Sequence, residues 1–86
     1  MRSLENSFGK RLKSIRKSRQ LTQEQFAEVI GISVDFLSLI ERGINAPSFD
    51  RTQQIADRLD VSVAHLFTFT TPAARASGGL GKRRVK

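Results

Sequence analysis

The chain has 86 residues, a net charge of +7, a sequence pI near 11.2 and no cysteine. This length suits one small domain whose marginal core would gain from oligomerisation, and the lack of cysteine excludes disulfides, thiolate metal sites and cysteine nucleophiles. With no apolar run of the roughly 20 residues that span a bilayer and no visible signal segment, a soluble intracellular protein is expected.

Two helices are predicted in the first third of the chain. The first has an apolar stripe with helical spacing and ends at Arg19 and Gln20; the stripe is Leu4, Phe8, Leu12 and Ile15. The second begins at Thr22, which forms a capping box with Gln25. Leu21 and Phe26 add a hydrophobic staple. Its expected buried residues are Phe26, Ala27 and Ile30.

A short turn around Gly31 leads to the third helix, since glycine tolerates the positive φ expected there. Ser33 is the expected N-cap, and Leu37 and Ile40 point inward. Gly43 is the expected stop. The outer face collects the positions that helical spacing puts together, namely Asp35, Ser38, Leu39 and Arg42.

Two more helices and a tail complete the prediction. Ser48 caps a fourth helix that stops at Asp60, with Phe49, Thr52, Ile55, Ala56 and Leu59 inward. Ser62 caps a short fifth helix that carries Val63, Leu66 and Phe67. After Pro72 the chain is small, polar and basic, and we expect it to be disordered.

The charge is concentrated at the two ends. Residues 1–20 have a net charge of +6, residues 21–71 of −4 and residues 72–86 of +5. Basic flanks suit sequence-independent phosphate contact. Solubility and a solvated tail explain them about equally well.

Two short helices joined by a glycine turn, over residues 21–43, have the layout of a DNA-reading helix-turn-helix. Five short segments occur in this order without insertion: LTQ…FA, GIS, IERG, PS and VS…LF. Together they resemble the lambda-repressor-like, Cro/C1-type (XRE) family over residues 8–67. The resemblance implies an all-α, five-helix domain, here over residues 5–70, and the composition beyond it predicts a flexible basic tail over 71–86. It also implies a two-fold dimer on a palindromic operator, with the recognition helix 33–42 in the major groove.

The resemblance assigns roles to individual side chains. Gln23 would bind a backbone phosphate, as would Arg42, Asn45 and the Gly43 amide. Arg16 and Glu41 match a pair that forms an internal salt bridge in relatives. The full set of expected DNA contacts is Arg11, Thr22, Gln23, Ser33, Val34, Asp35, Ser38, Leu39, Arg42 and Asn45.

The expected groove face departs from the family pattern, because it lacks the Gln, Arg or Lys that often donate to base edges. Val34 and Leu39 suit thymine methyls, and Asp35 suits cytosine N4. The alternative roles are a protein-contact patch for Val34 and Leu39 and, for the Asp35 carboxylate, stabilisation of the helix dipole. The operator is therefore not readable from the sequence, and we hypothesise that affinity depends on the basic flanks.

The leading interpretation is a sequence-specific transcriptional regulator, a dimeric repressor or autoregulator like those of phages or restriction–modification systems. It would act in the cytoplasm, on the nucleoid of a prokaryote or phage host, without cofactor, metal or small-molecule ligand. The expected dimer interface is Val63, Leu66, Phe67 and Phe69. The alternative is an antitoxin-like or adaptor module whose main partner is another protein. Enzymatic activity has no support, since His65 stands alone.

Overall fold

The computed structural model describes residues 4–68, and every regular element in that range is an α-helix. The helices are α1 (Leu4–Ser18), α2 (Gln23–Ile30), α3 (Val34–Glu41), α4 (Phe49–Leu59) and α5 (Val63–Leu66). The prediction of an all-α domain with five helices is confirmed. The predicted domain end at residue 70 and the tail over 71–86 lie outside the described residues.

All four predicted N-caps are present. The side chains of Thr22, Ser33, Ser48 and Ser62 each accept a hydrogen bond from the backbone N–H three residues later. This bond satisfies one of the N–H groups that a helix start leaves without an intrahelical partner. Short polar caps therefore set where these helices begin.

Left-handed residues end the first four helices. Gly31 and Gly43 have φ of 80° and 79°, and Gln20 and Asp60 adopt φ of 61° and 59° despite their side chains. At each point backbone N–H groups beyond the helix donate to its last carbonyls. The stops predicted at Gly43 and Asp60 are confirmed.

One apolar core holds the five helices together. α3 packs against α1 and α2, while α4 packs against α2 and α5. The fully buried side chains come from every helix and are Leu12, Phe26, Ile30, Leu37, Ile40, Ile55, Leu59 and Leu66. No helix among residues 4–68 is long and apolar enough to cross a membrane.

Gly9 lets α1 and α3 approach closely. It is buried inside α1, and a Cβ built there would collide with the carbonyl oxygen of Ile40 and lie 3.2 Å from that of Glu41. A glycine within a helix is normally destabilising relative to alanine. Here the missing side chain allows the contact between the two backbones.

Two apolar residues predicted to face the core are exposed. Phe49 is 93% exposed and Leu4 is 62% exposed. Each is the first residue of its helix, where the apolar stripe extends past the end of the core. Both line an open apolar cavity, here called the α1–α4 groove, which Phe8, Pro47 and Phe67 also line.

Candidate nucleic-acid interface

The α2–turn–α3 unit begins with the predicted capping box. Thr22 Oγ1 accepts from the Gln25 N–H at 3.1 Å, and Gln25 Oε1 accepts from the Thr22 N–H at 2.9 Å. The backbone N–H groups of Gln23 and Glu24 have no acceptor among the described residues. Since unpaired N–H groups and the helix dipole favour anions, the start of α2 is suited to a phosphate.

The turn between α2 and α3 is held by side chains from α4. Gln54 Nε2 donates to the Ile30 carbonyl at 3.1 Å, and Arg51 Nη1 donates to the Gly31 carbonyl at 3.3 Å. Arg58 Nη1 donates to the Val29 carbonyl at 3.5 Å. These donors satisfy carbonyls at the end of α2 that lack an intrahelical partner. They fix the turn that sets the angle of α3.

Arg16 and Glu41 form the ion pair that the family resemblance implied. Arg16 Nε lies 2.8 Å from Glu41 Oε2, and Arg16 Nη2 lies 3.1 Å from Oε1. The side chains are 12% and 3% exposed, respectively. Arg16 Nη1 also donates to the Leu21 carbonyl at 3.0 Å. The pair joins α1, the chain before α2 and the end of α3.

The Glu41 carboxylate also accepts a hydrogen bond from the DNA-contact candidate Gln23. Gln23 Nε2 donates to Glu41 Oε1 at 3.0 Å. This bond uses one of the two N–H donors on the amide nitrogen. The second N–H has no acceptor among the described residues. Gln23 is therefore held in place by the protein and still has a donor for a phosphate.

The outer face of α3 lies at the surface as predicted. Asp35 and Arg42 are exposed, and Ser38 and Leu39 are half-buried. Val34 is also half-buried and packs partly against the core, so less of its side chain is available for a base. The face therefore offers a carboxylate, a hydroxyl, an apolar side chain and a guanidinium in one row along the helix.

Several other predicted contact groups already have partners within the chain. The hydroxyls of Thr22 and Ser33 serve as N-caps. The Gly43 N–H, expected to approach a phosphate, instead donates to the Ile40 carbonyl at 2.9 Å. Asn45 is exposed, with its backbone N–H on the Leu39 carbonyl. Its side chain is the part left for contact.

Arg11 joins α1 to α5. Its Nε donates to the His65 carbonyl at 3.1 Å, and its Nη2 lies 3.0 Å from His65 Nε2. Arg19 likewise donates to the Leu59 carbonyl at 3.0 Å. With Arg16, three of the basic residues counted in the N-terminal flank therefore have structural partners. Three basic side chains of α1 remain exposed without a described partner: Lys10, Lys13 and Lys17.

The expected dimer interface is only partly available. Leu66 is fully buried in the core, so the prediction that it lies at an interface is wrong: it faces the other helices of its own chain. Val63 is half-buried, and Phe67 is 39% exposed with its ring centroid 5.1 Å from that of Phe8. Phe69 lies outside the described residues.

Sequence reasoning missed the α4 side chains that hold the turn and the link between Gln23 and Glu41. The α4 donors follow a polar stripe, Arg51, Gln54 and Arg58, at helical spacing. That stripe was a usable signal for an inter-helix role. The link to Glu41 has no local signal, because the partners are 18 residues apart.

The helix-turn-helix family model HTH_3 matches residues 12–66. The chain is 44% identical over 59 residues to an uncharacterized HTH-type transcriptional regulator, YazB of Bacillus subtilis, covering 69% of this chain and 86% of that protein. It is 41% identical over 58 residues to the immunity repressor of Bacillus phage phi105, covering 67% of this chain and 40% of the repressor.

Antitoxin PezA of Streptococcus pneumoniae is 41% identical over 55 residues, which cover 64% of this chain and 35% of the antitoxin. The chain thus spans less than half the length of the phage and antitoxin relatives. Among solved structures, the restriction–modification controller protein C.AhdI of Aeromonas hydrophila matches with a TM-score of 0.66 and 29% identity. That match covers 72% of this chain and 90% of the controller.

Proposed function

The chain belongs to the helix-turn-helix family HTH_3, and we propose that it regulates transcription by binding a palindromic operator as a homodimer. Each protomer would place α3 in the major groove and the start of α2 against a phosphate. Such a protein would act in the cytoplasm, where the DNA of a bacterium or phage lies.

The observation that carries this proposal is the way the α2–turn–α3 unit is held. The Arg16–Glu41 pair fixes it from α1, and Gln54 fixes the turn from α4. Meanwhile Asp35 and Arg42, on the outer face of α3, are exposed. A helix held from behind and open in front is what major-groove insertion requires, because base contact depends on a fixed orientation.

Phosphate contact supports binding in this proposal more than base contact does. The α3 face contains one cationic side chain, Arg42, and one anion, Asp35. Neither an Asn nor a Gln lies on that face to make the two-bond contact with adenine. Gln23, Asn45 and the exposed lysines of α1 supply donors for the backbone, together with the basic residues after Pro72.

Dimerisation would use the surface formed by Val63 and Phe67, at the two ends of α5. Val63 begins α5 and Phe67 directly follows it, and each keeps part of its surface exposed. Two recognition helices related by a two-fold axis would then read half-sites about 34–36 Å apart, one turn of duplex. Light scattering across a hundredfold range of protein concentration tests this step.

Selection from random duplex DNA tests the function itself. We expect a motif with two inverted half-sites about 10 base pairs apart, bound with an affinity that falls steeply with salt. Arg42→Ala should reduce that affinity, while Gln53→Ala serves as the control, because Gln53 is exposed on α4 and donates only to Asp57 of the same helix. Selection that returns no motif, with a folded protein, would contradict the proposal.

A second candidate is an antitoxin-like module, which the similarity to antitoxin PezA favours. In that case the apolar part of the α3 face, Val34 and Leu39, would contact a protein instead of thymine methyls. Co-purification of a second chain that is lost in Leu39→Ser, with no motif from the selection, would support this candidate over the first.

A further inference from the structure

The α1–α4 groove gathers several exposed apolar side chains in one place. Three of the five large hydrophobic residues that are exposed among residues 4–68 line it: Leu4, Phe49 and Phe67. Clustered exposure of this kind marks a surface that something covers. Neither the fold nor the proposed DNA interface explains why a phenylalanine that is 93% exposed should stand at the start of α4.

The groove has the size and lining of a site for one phenyl ring. Its volume is about 200 Å³, and its walls are almost wholly apolar. An apolar cavity of roughly 150 Å³ lined by aliphatic and aromatic side chains binds benzene. The Phe8 and Phe67 rings, 5.1 Å apart and tilted by 37°, form one wall. That wall favours an aromatic guest, because tilted and offset ring pairs attract each other.

The next aromatic residue of the same chain is in reach. The described chain ends at Thr68, one residue beyond Phe67, and Phe69 follows directly. Phe67 and Thr68 continue the last turn of α5, with the Thr68 N–H on the His65 carbonyl at 3.3 Å, so the chain leaves the helix beside the groove that Phe67 lines. Phe69 is also the last aromatic residue of the sequence, so the remaining segment contains no rival ring.

The charges around the groove fit the segment that follows. Glu5 lines the groove, and Asp50 lies directly after Phe49; neither has an ion pair among residues 4–68. Residues 72–86 carry five basic residues and no acid. A basic segment leaving the groove would pass acids that lack a cationic partner, and this attraction would favour the chain's own tail as the occupant.

We propose that the side chain of Phe69 fills the α1–α4 groove of its own chain and fixes the start of the basic tail against α1 and α4. A tether of one residue gives this ring a far higher effective concentration than any free competitor. The inference does not depend on DNA binding, and it places Phe69 inside the protomer instead of at a dimer interface.

A double-mutant cycle between Phe49 and Phe69 in the full chain tests this proposal. If the ring of Phe69 covers Phe49, Phe69→Ala and Phe49→Ala should each lower the melting temperature by about 5–10 °C. The double variant should lose clearly less than the sum of the two, because each substitution removes the same contact. Thr70→Ala, whose side chain would point away, is the matched control and should change little.

Two further measurements fix the occupant. Nuclear Overhauser contacts from the Phe69 ring to the Leu4 methyls and the Phe49 ring should appear. The energetic coupling between the Phe49 and Phe69 substitutions should be the same at protein concentrations a hundredfold apart. Coupling that disappears on dilution would show that a second copy supplies the ring. Additive or negligible melting shifts, or contacts from Met1 instead of Phe69, would also overturn the proposal while leaving DNA binding untouched.

Discussion

Gln23 and Glu41 are joined by a hydrogen bond of 3.0 Å from the amide nitrogen to the carboxylate. The same carboxylate oxygen accepts from Arg16, so one buried acid links the first helical residue of α2 to α1. An amide that rotates freely must be ordered when it binds a phosphate, and that ordering opposes binding. Glu41 removes part of this cost by holding Gln23 before DNA arrives.

Gln23→Ala should weaken DNA binding with little loss of stability. Glu41 keeps both bonds to Arg16 in this variant, so the free energy of unfolding should fall by no more than about 1 kcal/mol. Affinity for DNA should fall about tenfold for operator and random duplex alike, because a phosphate contact carries no sequence information. The slope of log K against log salt should not change, since the lost group is neutral.

Gln53→Ala is the matched control for this experiment. Gln53 is an exposed amide on α4 that donates to Asp57 at 3.0 Å, so it resembles Gln23 in chemistry but not in position. Fluorescence anisotropy with labelled duplexes measures both variants. An affinity for DNA that falls equally in the two, or only for the operator, would show that Gln23 does not contact a phosphate.

Arg16→Met tests the buried ion pair. The change leaves the Glu41 carboxylate, 3% exposed, without its main partner, and breaking a buried pair in this way costs about 3–5 kcal/mol. Urea unfolding followed by circular dichroism should show that loss. Lys13→Met, on the exposed side of the same helix, should change stability by about 0.5 kcal/mol at most.

The double variant Arg16→Met with Glu41→Leu separates stability from positioning. Replacing both charges by apolar groups should recover much of the lost stability. Gln23 then has no acceptor to hold it, so DNA affinity should stay low in a folded protein. Recovery of full affinity together with stability would show that Glu41 acts on the fold alone.

The sequence predicts local features of this fold well and tertiary ones poorly. Thr22, Ser33 and Gly31 have roles set by neighbours a few residues away, and each is observed in its predicted role. Phe49 has correct helical spacing for burial, yet it is 93% exposed because the core does not reach the start of α4. No spacing rule contains that information.

The candidate site shows the same division. Helical spacing places Asp35, Ser38 and Arg42 on one face, which the structure also has at the surface. The internal partners of Arg11 and Gln23 depend on how α5 and α3 cross the other helices, and they join residues 54 and 18 positions apart. Net charge alone therefore overstates how many basic side chains of α1 are free for phosphate.

Gly9→Ala should destabilise the fold, against the usual preference for alanine in helices. A methyl group at this position would meet the Ile40 carbonyl oxygen, part of the α3 backbone, which cannot turn aside as a flexible side chain would. We expect a loss of about 1–3 kcal/mol from overpacking. Ser14→Ala, exposed in the same helix, should be neutral or slightly stabilising. A Gly9→Ala variant as stable as the parent protein would contradict the close approach of α1 and α3.

The tail should account for much of the salt dependence. Three arginines of α1 are bound within the protein, which shifts the expected phosphate contacts towards the five basic residues after Pro72. If three of these contact phosphate, a chain ending at Thr71 should show a log–log salt slope smaller by about 2.7. Replacing Lys10, Lys13 and Lys17 with glutamine in the full chain is the comparison. A slope that changes only in the lysine variant would assign the contacts to α1 instead.

Asp35→Asn tests the one anion on the recognition face. Asp35 is exposed in the first turn of α3, where its charge favours the helix dipole but opposes an approaching phosphate backbone. Its removal should cost at most about 1 kcal/mol of stability and should raise affinity for random duplex several-fold at low salt. Asp50→Asn is the matched control, because Asp50 is the exposed first-turn acid of α4 and lies off that face. Binding to random duplex measured at two salt concentrations distinguishes the two variants. A loss confined to the selected operator, with random duplex unchanged, would show that Asp35 accepts a hydrogen bond from a base and that its charge is used for sequence reading.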